Sequence, residues 1–369
     1  MMINIPKSAV DVVQGDVSAI AHHASDSLDM LAGQNVLLTG GAGFLGYMLA
    51  HVLAQVGDSD GRSPIQLTIY ENFSRGRKLW LENLCARPNV TLVEHDITRP
   101  LPGGGAPFSY IIHAASIASP TYYRLHPIET IDANVNGLRH LLDYAKLRAE
   151  GGSPISGMLF FSTSEIYGDP FPDAIPTAEA YRGFVSCTGP RACYDESKRL
   201  GETLCVNFAQ QHGVPVTIAR PFNNYGPGLD IHDRRLLPDL ARDMFEEKDL
   251  ILLSDGSATR TFCYISDAIA GYIKILTKGR AGEPYNIGTE SPEINVRQLA
   301  DRVAAIGHEL FGYTGRVVHK NSDDIAYLTD NPNRRCPNIA KARSELGYVP
   351  RVSLEEGLRR SLIWYRENR

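Results

Sequence analysis

Thr39-Gly40-Gly41-Ala42-Gly43-Phe44-Leu45-Gly46 owes its weight to what flanks it. A short apolar run, Asn35 to Thr39, leads in, and an amphipathic stretch continues to about Val56. The glycines therefore sit at a strand-to-helix turn. Gly40 permits the tight turn, Gly43 lets a pyrophosphate approach the backbone, and Gly46 allows the helix to pack closely. The helix N-terminus adds a preference for negative charge. A glycine-rich turn without this context would say much less.

On both sides of that turn, short apolar runs alternate with helix-length amphipathic stretches. Asn35 to Thr39, Gln66 to Tyr70, Val90 to Glu94, Tyr110 to His113, Met158 to Ser162 and Pro215 to Arg220 read as strands. Runs apolar on both faces suit a parallel sheet covered by helices on each side. The expected fold is α/β, a Rossmann-like doubly wound parallel sheet. After Arg220 the pattern loosens into loops, with helices expected near Arg235 to Glu247, Ser266 to Thr277, Val296 to Phe311 and Ser353 to Arg366. The division is thus an amino-terminal arm over 1–33, a dinucleotide-binding domain over 34–220 and a smaller mixed α/β substrate-binding domain over 221–369. Pro284 to Ile287 is placed to return to the sheet as a further strand. Gly57 to Pro64 and Gly103 to Gly105 read as surface loops.

The 369 residues, 43% hydrophobic and 21% charged with a formal charge of -5, are those of a globular protein without the basic excess of a nucleic-acid binder. The six cysteines are scattered with no CxxC pair, which disfavours a zinc site or a disulfide framework and suits reduced thiols. No metal site is expected. The first thirty-odd residues carry Asp11, Asp16, Asp26 and Asp29 and lack the pattern of a signal peptide. No apolar run approaches the roughly 20 residues that span a bilayer, so the expected location is cytoplasmic. His22 and His23 read as a solvated pair in a mobile arm.

Glu71 ends the second strand, where a carboxylate accepts hydrogen bonds from the ribose of NAD and repels the 2′-phosphate of NADP. Arg75 and Arg77 stand nearby and leave the phosphate alternative open. Asp96 and Ile97, after the third strand, are adenine neighbours in this reading, and Ala114, Ala115 and Ser116 supply small residues where the cofactor lies close. Tyr194 and Lys198, four apart in a helical stretch, project from one face. An ammonium near a phenol favours the phenolate, so Tyr194 is placed to take a proton from a substrate hydroxyl during hydride transfer. Alone, that spacing is common on solvated helices; with the glycine turn it gains meaning. Thr163, Ser164 and Glu165 follow a strand at its carboxyl end, the crevice of this fold. Thr163 can share a proton with Tyr194, and Glu165 can act as acid or base.

TGGAGFLG, HAAS, STSEIYGDP, GPRACYDESKR, RPFNNYGP, TRTFCYISD and the tail around Leu346 to Gly357 occur in this order. Together they resemble extended short-chain dehydrogenases/reductases, the NAD-dependent epimerase/dehydratase family, over nearly all of Asn35 to Arg369. Within it the chain looks most like the UDP-glucuronate decarboxylases (UDP-xylose synthases), above all in Gly189 to Glu196. The resemblance implies Thr163, Tyr194 and Lys198 as catalytic residues, with Glu165 positioning the sugar. It implies Ser164, Arg191, Asn223, Arg260 and Arg335 as substrate contacts, Arg191 near a sugar carboxylate and Arg260 at the diphosphate. The cofactor set becomes Gly40, Gly43, Phe44, Leu45, Gly46, Glu71, Asn72, Asp96, Ile97, Ala114, Ala115, Ser116, Tyr194 and Lys198. Gly228 and Cys336 stand where those decarboxylases usually carry arginine and lysine. The implied reaction passes through a 4-keto sugar to UDP-xylose, with a nucleotide-sugar substrate and a homodimer joined through Ile128 to Leu147 and Ala192 to Gln211. A 4,6-dehydratase or 4-epimerase shares the 4-keto step. An NAD-binding sensor is the non-enzyme alternative, which intact Thr163, Tyr194 and Lys198 argue against.

Overall fold

The computed structural model describes residues 6–58, 61–103, 105–320, 329 and 332–369. Ser59, Asp60 and Gly104, in two of the loops noted above, lie outside these, as do residues 1–5 of the amino-terminal segment. Seven strands form one parallel sheet: β1 (Asn35–Thr39), β2 (Gln66–Glu71), β3 (Val90–Glu94), β4 (Tyr110–His113), β5 (Gly157–Phe161), β6 (Val216–Pro221) and a returning strand, Pro284–Ile287. Their order is β3, β2, β1, β4, β5, β6, then the returning strand, which pairs with β6 from Pro284 opposite Ile218 to Ile287 opposite Pro221. Val36, Leu37 and Leu38 of β1 are buried from both faces, as a doubly covered strand requires. The chain runs outward from β1 in one direction to β3 and then restarts at β4 on its other side, so the carboxyl ends of β1 and β4 flank the crevice where such sheets bind ligands.

Beyond β6 the chain forms small ladders that aim side chains at this crevice. Arg334–Arg335 pairs in parallel with Thr259–Arg260, setting Arg335 directly opposite Arg260. Asn224–Tyr225 pairs with Cys263–Tyr264. No helix among the described residues is long and apolar enough to cross a membrane.

The amino-terminal segment is not a mobile arm. Residues Ala9–His23 (α1) and Ser25–Leu31 (α2) are helices. Val12, Val13, Val17 and Ile20, with Leu28 and Leu31, are buried; their one-sided spacing is interleaved with acids, which hides it in a composition reading. Ser8 and Asp11 form a reciprocal capping box at the start of α1. Asp16, fully buried, accepts from the Tyr264 hydroxyl at 2.6 Å and from Arg360 Nη1 at 2.9 Å. The rings of His22 and His23 meet edge to face, with centroids 5.0 Å apart.

Candidate active site

The glycine turn is a cradle that side chains would fill. Gly40 has φ +72°, and a Cβ there would stand 2.6 Å from the Ala115 backbone. A Cβ at Gly46 would come within 2.6 Å of the Gly41 carbonyl oxygen. Gly43 caps the following helix α3 (Phe44–Gln55) with no side-chain hydrogen bond, so the first-turn N–H groups, which have no intrahelical partner, remain for an anion. Glu71 does more than end β2. Its carboxylate accepts from the Ala42 N–H at 2.9 Å, from Asn72 N–H at 3.1 Å and from Phe73 N–H at 3.2 Å, holding the turn in shape. Burial pushes the Glu71 carboxyl upward, and these three N–H groups oppose it. Across the crevice Thr39 Oγ1 sits 2.8 Å from His113 Nδ1 and accepts from Ala115 N–H at 3.3 Å, which fixes Ala114 to Ser116 against Gly40. Asp96 turns back to accept from the Thr98 N–H at 2.9 Å and hydroxyl at 2.8 Å. An open glycine backbone, a helix N-terminus and a carboxylate at the end of β2 are the features a dinucleotide needs, and the residues present fit NAD.

β5 delivers Thr163 and, after it, the short turn Ser164–Tyr167, whose start Thr163 caps by accepting from Glu165 N–H at 3.2 Å. Tyr194 and Lys198 lie one turn apart on the helix Ala192–His212, and both are buried. Lys198 Nζ donates to the Phe161 carbonyl at 2.8 Å and lies 5.7 Å from the Tyr194 ring centroid. Burial drives these two groups apart from their ordinary values: it pushes the Tyr194 phenol up to about 12 while a hydrogen bond with Thr163 pulls the other way, and it lowers Lys198 to about 7. The lowering of the phenol by Lys198 expected from spacing alone is therefore not realised in this geometry. The ammonium is turned to a backbone carbonyl, and desolvation of the phenolate is the larger effect.

Farther along the cleft, two arginines meet on one carboxylate and a third lies beside them. Arg335 forks onto Glu165, with Nη2 2.7 Å from Oε2 and Nη1 bonded to Oε1, and Arg191 Nη2 also bonds Oε2. Burial would raise the Glu165 carboxyl, but Arg335 and Arg191 together hold it well below the usual carboxylate range. Arg260 lies next to this cluster; burial first and Arg335 second lower it to about 10, and its guanidinium donates to Thr259 O at 2.7 Å and Asn333 O at 3.2 Å. Asn223 adopts φ +41° and donates to the Thr261 carbonyl at 2.9 Å, tying its loop to the Arg260 ladder.

Every residue singled out from the sequence for cofactor, substrate or catalysis lines one continuous cleft of about 1730 Å³. That is larger than the roughly 300–1,000 Å³ of a site for one drug-sized ligand and offers room for two. Sequence reasoning missed several of its neighbours. The Tyr123 ring stacks on Tyr194 with centroids 5.1 Å apart and planes 8° from parallel. Asn134, in the π turn Ala133–Gly137, accepts from Ser116 Oγ at 2.7 Å and donates to Ser197 Oγ at 2.9 Å, joining the segment after β4 to the helix Ala192–His212. Arg235 pairs with Asp233 and pulls on the Tyr194 phenol electrostatically. A cationic pair just before the Leu236–Phe245 helix was the visible signal for Arg235; a π turn leaves none. Gly228, with φ +90°, has no room for an arginine, because a Cβ there would meet the Tyr47 side chain at 2.6 Å.

The family model described as NAD dependent epimerase/dehydratase family matches residues 36–288. UDP-glucuronic acid decarboxylase 6 of Arabidopsis thaliana is 36% identical over 323 residues, covering 88% of this chain and 86% of that protein. UDP-glucuronic acid decarboxylase 1 of Xenopus tropicalis is 35% identical over 334 residues, 90% of this chain and 72% of that one. Among solved structures, a double mutant of DesIV, a dTDP-glucose 4,6-dehydratase from Streptomyces venezuelae with NAD and DAU bound, is similar with TM-score 0.73 and 26% identity, covering 90% of this chain and 97% of that one. The Thermotoga maritima UDP-glucose 4-epimerase with UDP-glucose is similar with TM-score 0.74 and 25% identity, covering 90% and 99%.

Proposed function

As a member of the NAD dependent epimerase/dehydratase family, the chain is an NAD-dependent enzyme of nucleotide sugars, and we propose that its reaction is decarboxylation of UDP-glucuronate to UDP-xylose. The observation that carries this reading is that Arg191 and Arg335 meet on the Glu165 carboxylate with Arg260 beside them. Three guanidinium groups against Glu165 and the more distant Asp195, 3.8 Å from Arg191 Nε, leave positive charge for a ligand anion. A sugar that brings a carboxylate as well as a diphosphate uses that charge better than a neutral hexose does. The kinship with two decarboxylases at 35–36% identity supports the same choice.

Gly40, Gly43, Gly46, Glu71 and Lys198 would hold the cofactor. Bound NAD supplies reversible hydride exchange at C4, which makes the sugar transiently a 4-ketone. Tyr194, hydrogen-bonded to Thr163, takes the C4 hydroxyl proton as its phenolate, a form that the positive nicotinamide ring of bound NAD would favour against burial, and returns it at the end of the cycle. Arg191 and Arg335 orient the C5 carboxylate next to that ketone. There the C5–C6 bond breaks, its electron pair passes into the C4 carbonyl to give an enolate, carbon dioxide leaves, and C5 takes up a proton from solvent as the C4 carbonyl re-forms. Its two arginines make the Glu165 carboxylate a weak base, which suits a positioning role better than the proton abstraction a dehydratase asks of a carboxylate in this place.

The protein works, in this reading, as a cytoplasmic homodimer. Leu125, Ile128 and Leu200 are 67%, 63% and 47% exposed on and beside the helices expected to pair, and all six cysteines are free thiols, which supports a reducing compartment. Residues 34–220 with the returning strand would serve as the cofactor half and 221–369 as the substrate half.

The test is product analysis by mass spectrometry and NMR after incubation with NAD and UDP-glucuronate, alongside UDP-glucose and dTDP-glucose, with Tyr194→Phe as control. UDP-xylose with released carbon dioxide, lost in the control, is the expected result. UDP-galacturonate would make the enzyme an epimerase, and loss of water from a neutral hexose would make it a dehydratase; either overturns the proposal.

A further inference from the structure

Two ion pairs cross the cofactor end of the cleft, and the chemistry above uses neither. The loop after β2, residues 72–78, faces the segment 228–235 over the glycine turn. Arg75 Nη1 lies 3.0 Å from Asp233 Oδ2, and Lys78 Nζ lies 2.9 Å from Asp230 Oδ2. Both acceptors are fixed from behind. The Asp233 side chain is only 2% exposed and also binds Arg235, while its backbone carbonyl accepts from Ser119 Oγ at 2.7 Å. Asp230 accepts from the His232 N–H at 2.9 Å. The Arg75 guanidinium further lies 4.4 Å from the centre of the Tyr122 ring. Arg75, Lys78, Asp230 and Asp233 all line the cleft that contains Gly40 to Gly46.

We infer that these pairs are a clasp, closing loop 72–78 onto segment 228–235 across the bound dinucleotide and slowing its release. The inference rests on the NAD-dependent reaction proposed above, in which the cofactor is reduced and reoxidised on the same sugar and its escape between the two hydride transfers would strand a ketone. Arg75 and Lys78 each face a carboxylate, so they offer a phosphate little net charge. What they provide is a bridge between two loops that both line the cleft. Partly exposed pairs of this kind are individually modest and screened by salt. Each is therefore worth a few-fold in release rate, and the two together roughly tenfold.

The experiment is a double-mutant cycle read without sugar, as the rate at which bound NAD is displaced by fluorescent etheno-NAD. Lys78→Gln and Asp230→Asn are each expected to speed release about threefold, and the double variant by no more than either alone, because both remove one interaction. Adding Arg75→Gln to Lys78→Gln brings the effect to about tenfold, and raising the salt concentration closes most of the gap to wild type. Lys78, Asp230 and Arg75 are a third or more exposed, and unchanged melting temperatures would verify that the variants fold. Slower release in Asp230→Asn would mean that Lys78 binds the cofactor directly and would overturn the clasp, as would multiplicative effects of Lys78→Gln and Asp230→Asn or rates equal to wild type. Product formation from UDP-glucuronate by the same wild-type preparation tests the decarboxylase reading separately, since the clasp can fail while turnover stands.

Discussion

Glu165→Gln keeps the shape of the side chain and removes its charge. In the wild type that carboxylate accepts from both terminal nitrogens of Arg335 and from Arg191, whose side chains are 6% and 10% exposed. Among the described residues, the other carboxylate close to Arg191 is Asp195, 3.8 Å from its Nε. Breaking a buried pair by removing one partner costs about 3–5 kcal/mol. Glu165 keeps a side-chain exposure of 20%, so the lower end, about 3 kcal/mol, is the better figure here. For a chain of this size that corresponds to a fall in melting temperature on the order of 5 °C. The sign of the pH dependence follows from the depressed carboxyl. Its contribution is fully present above the ordinary value of 4.5 and is lost as pH falls from there toward the folded-state value, so the gap between wild type and variant narrows only below pH 4.5. A ligand carboxylate then substitutes for the missing one: in thermal melts UDP-glucuronate should recover more of the lost stability than UDP-glucose does. A variant that melts within 1 °C of wild type, or equal rescue by the two nucleotide sugars, would refute the argument that this cluster is built for an acidic sugar.

Other perturbations separate cofactor, catalyst and scaffold. Lys198→Met removes a buried amine lowered from 10.5 to about 7. The wild type bears the full burial penalty below pH 7 and is progressively relieved as pH rises toward 10.5, so the variant gains more thermal stability at pH 6 than at pH 9 while losing turnover. A pH-independent gain would contradict the assignment. Gly40→Ala places a methyl 2.6 Å from the Ala115 backbone at φ +72°; calorimetric titration should find NAD binding weakened at least a hundredfold. Asp16→Ala strips the acceptor from Tyr264 and Arg360 and should cost about 3 kcal/mol in denaturant unfolding. A loss under 1 kcal/mol would show that α1 is held by apolar contact alone.

The parallel sheet and the glycine turn were legible because their signals are local. Val36 to Leu38 are apolar on both faces, and Gly40 and Gly46 stand where backbone contacts leave no space for a side chain, with Gly43 tight at 3.2 Å. The helix Val296–Phe311 was also bounded correctly, since Asn295 caps it and Gly312 ends it in the left-handed region. What the sequence hid depends on distant partners. Asp16 reads as one more surface acid until Tyr264 and Arg360 are brought to it. Glu165 reads as an acid or base until Arg191 and Arg335 close on it, and only then does its ionised state follow. The phenol of Tyr194 was expected lower than it is, because four-residue spacing reveals who stands nearby but not how much water has been removed.

The helix α1 holds its last consequence in time. Its N-terminal Ala9 N–H donates to Glu367 at 3.0 Å, and Asp16 meets Arg360, partners separated by 358 and 344 positions along the chain. At a translation rate of about 5–20 residues per second, α1 waits roughly 20–70 s for the helix Leu354–Glu367 to be made. Throughout that interval the stripe of Val12, Val13, Val17 and Ile20 has no final helix to cover it. The sheet can assemble as its strands emerge, but α1 gains its hydrogen bonds to the helix Leu354–Glu367 only after that helix has been made.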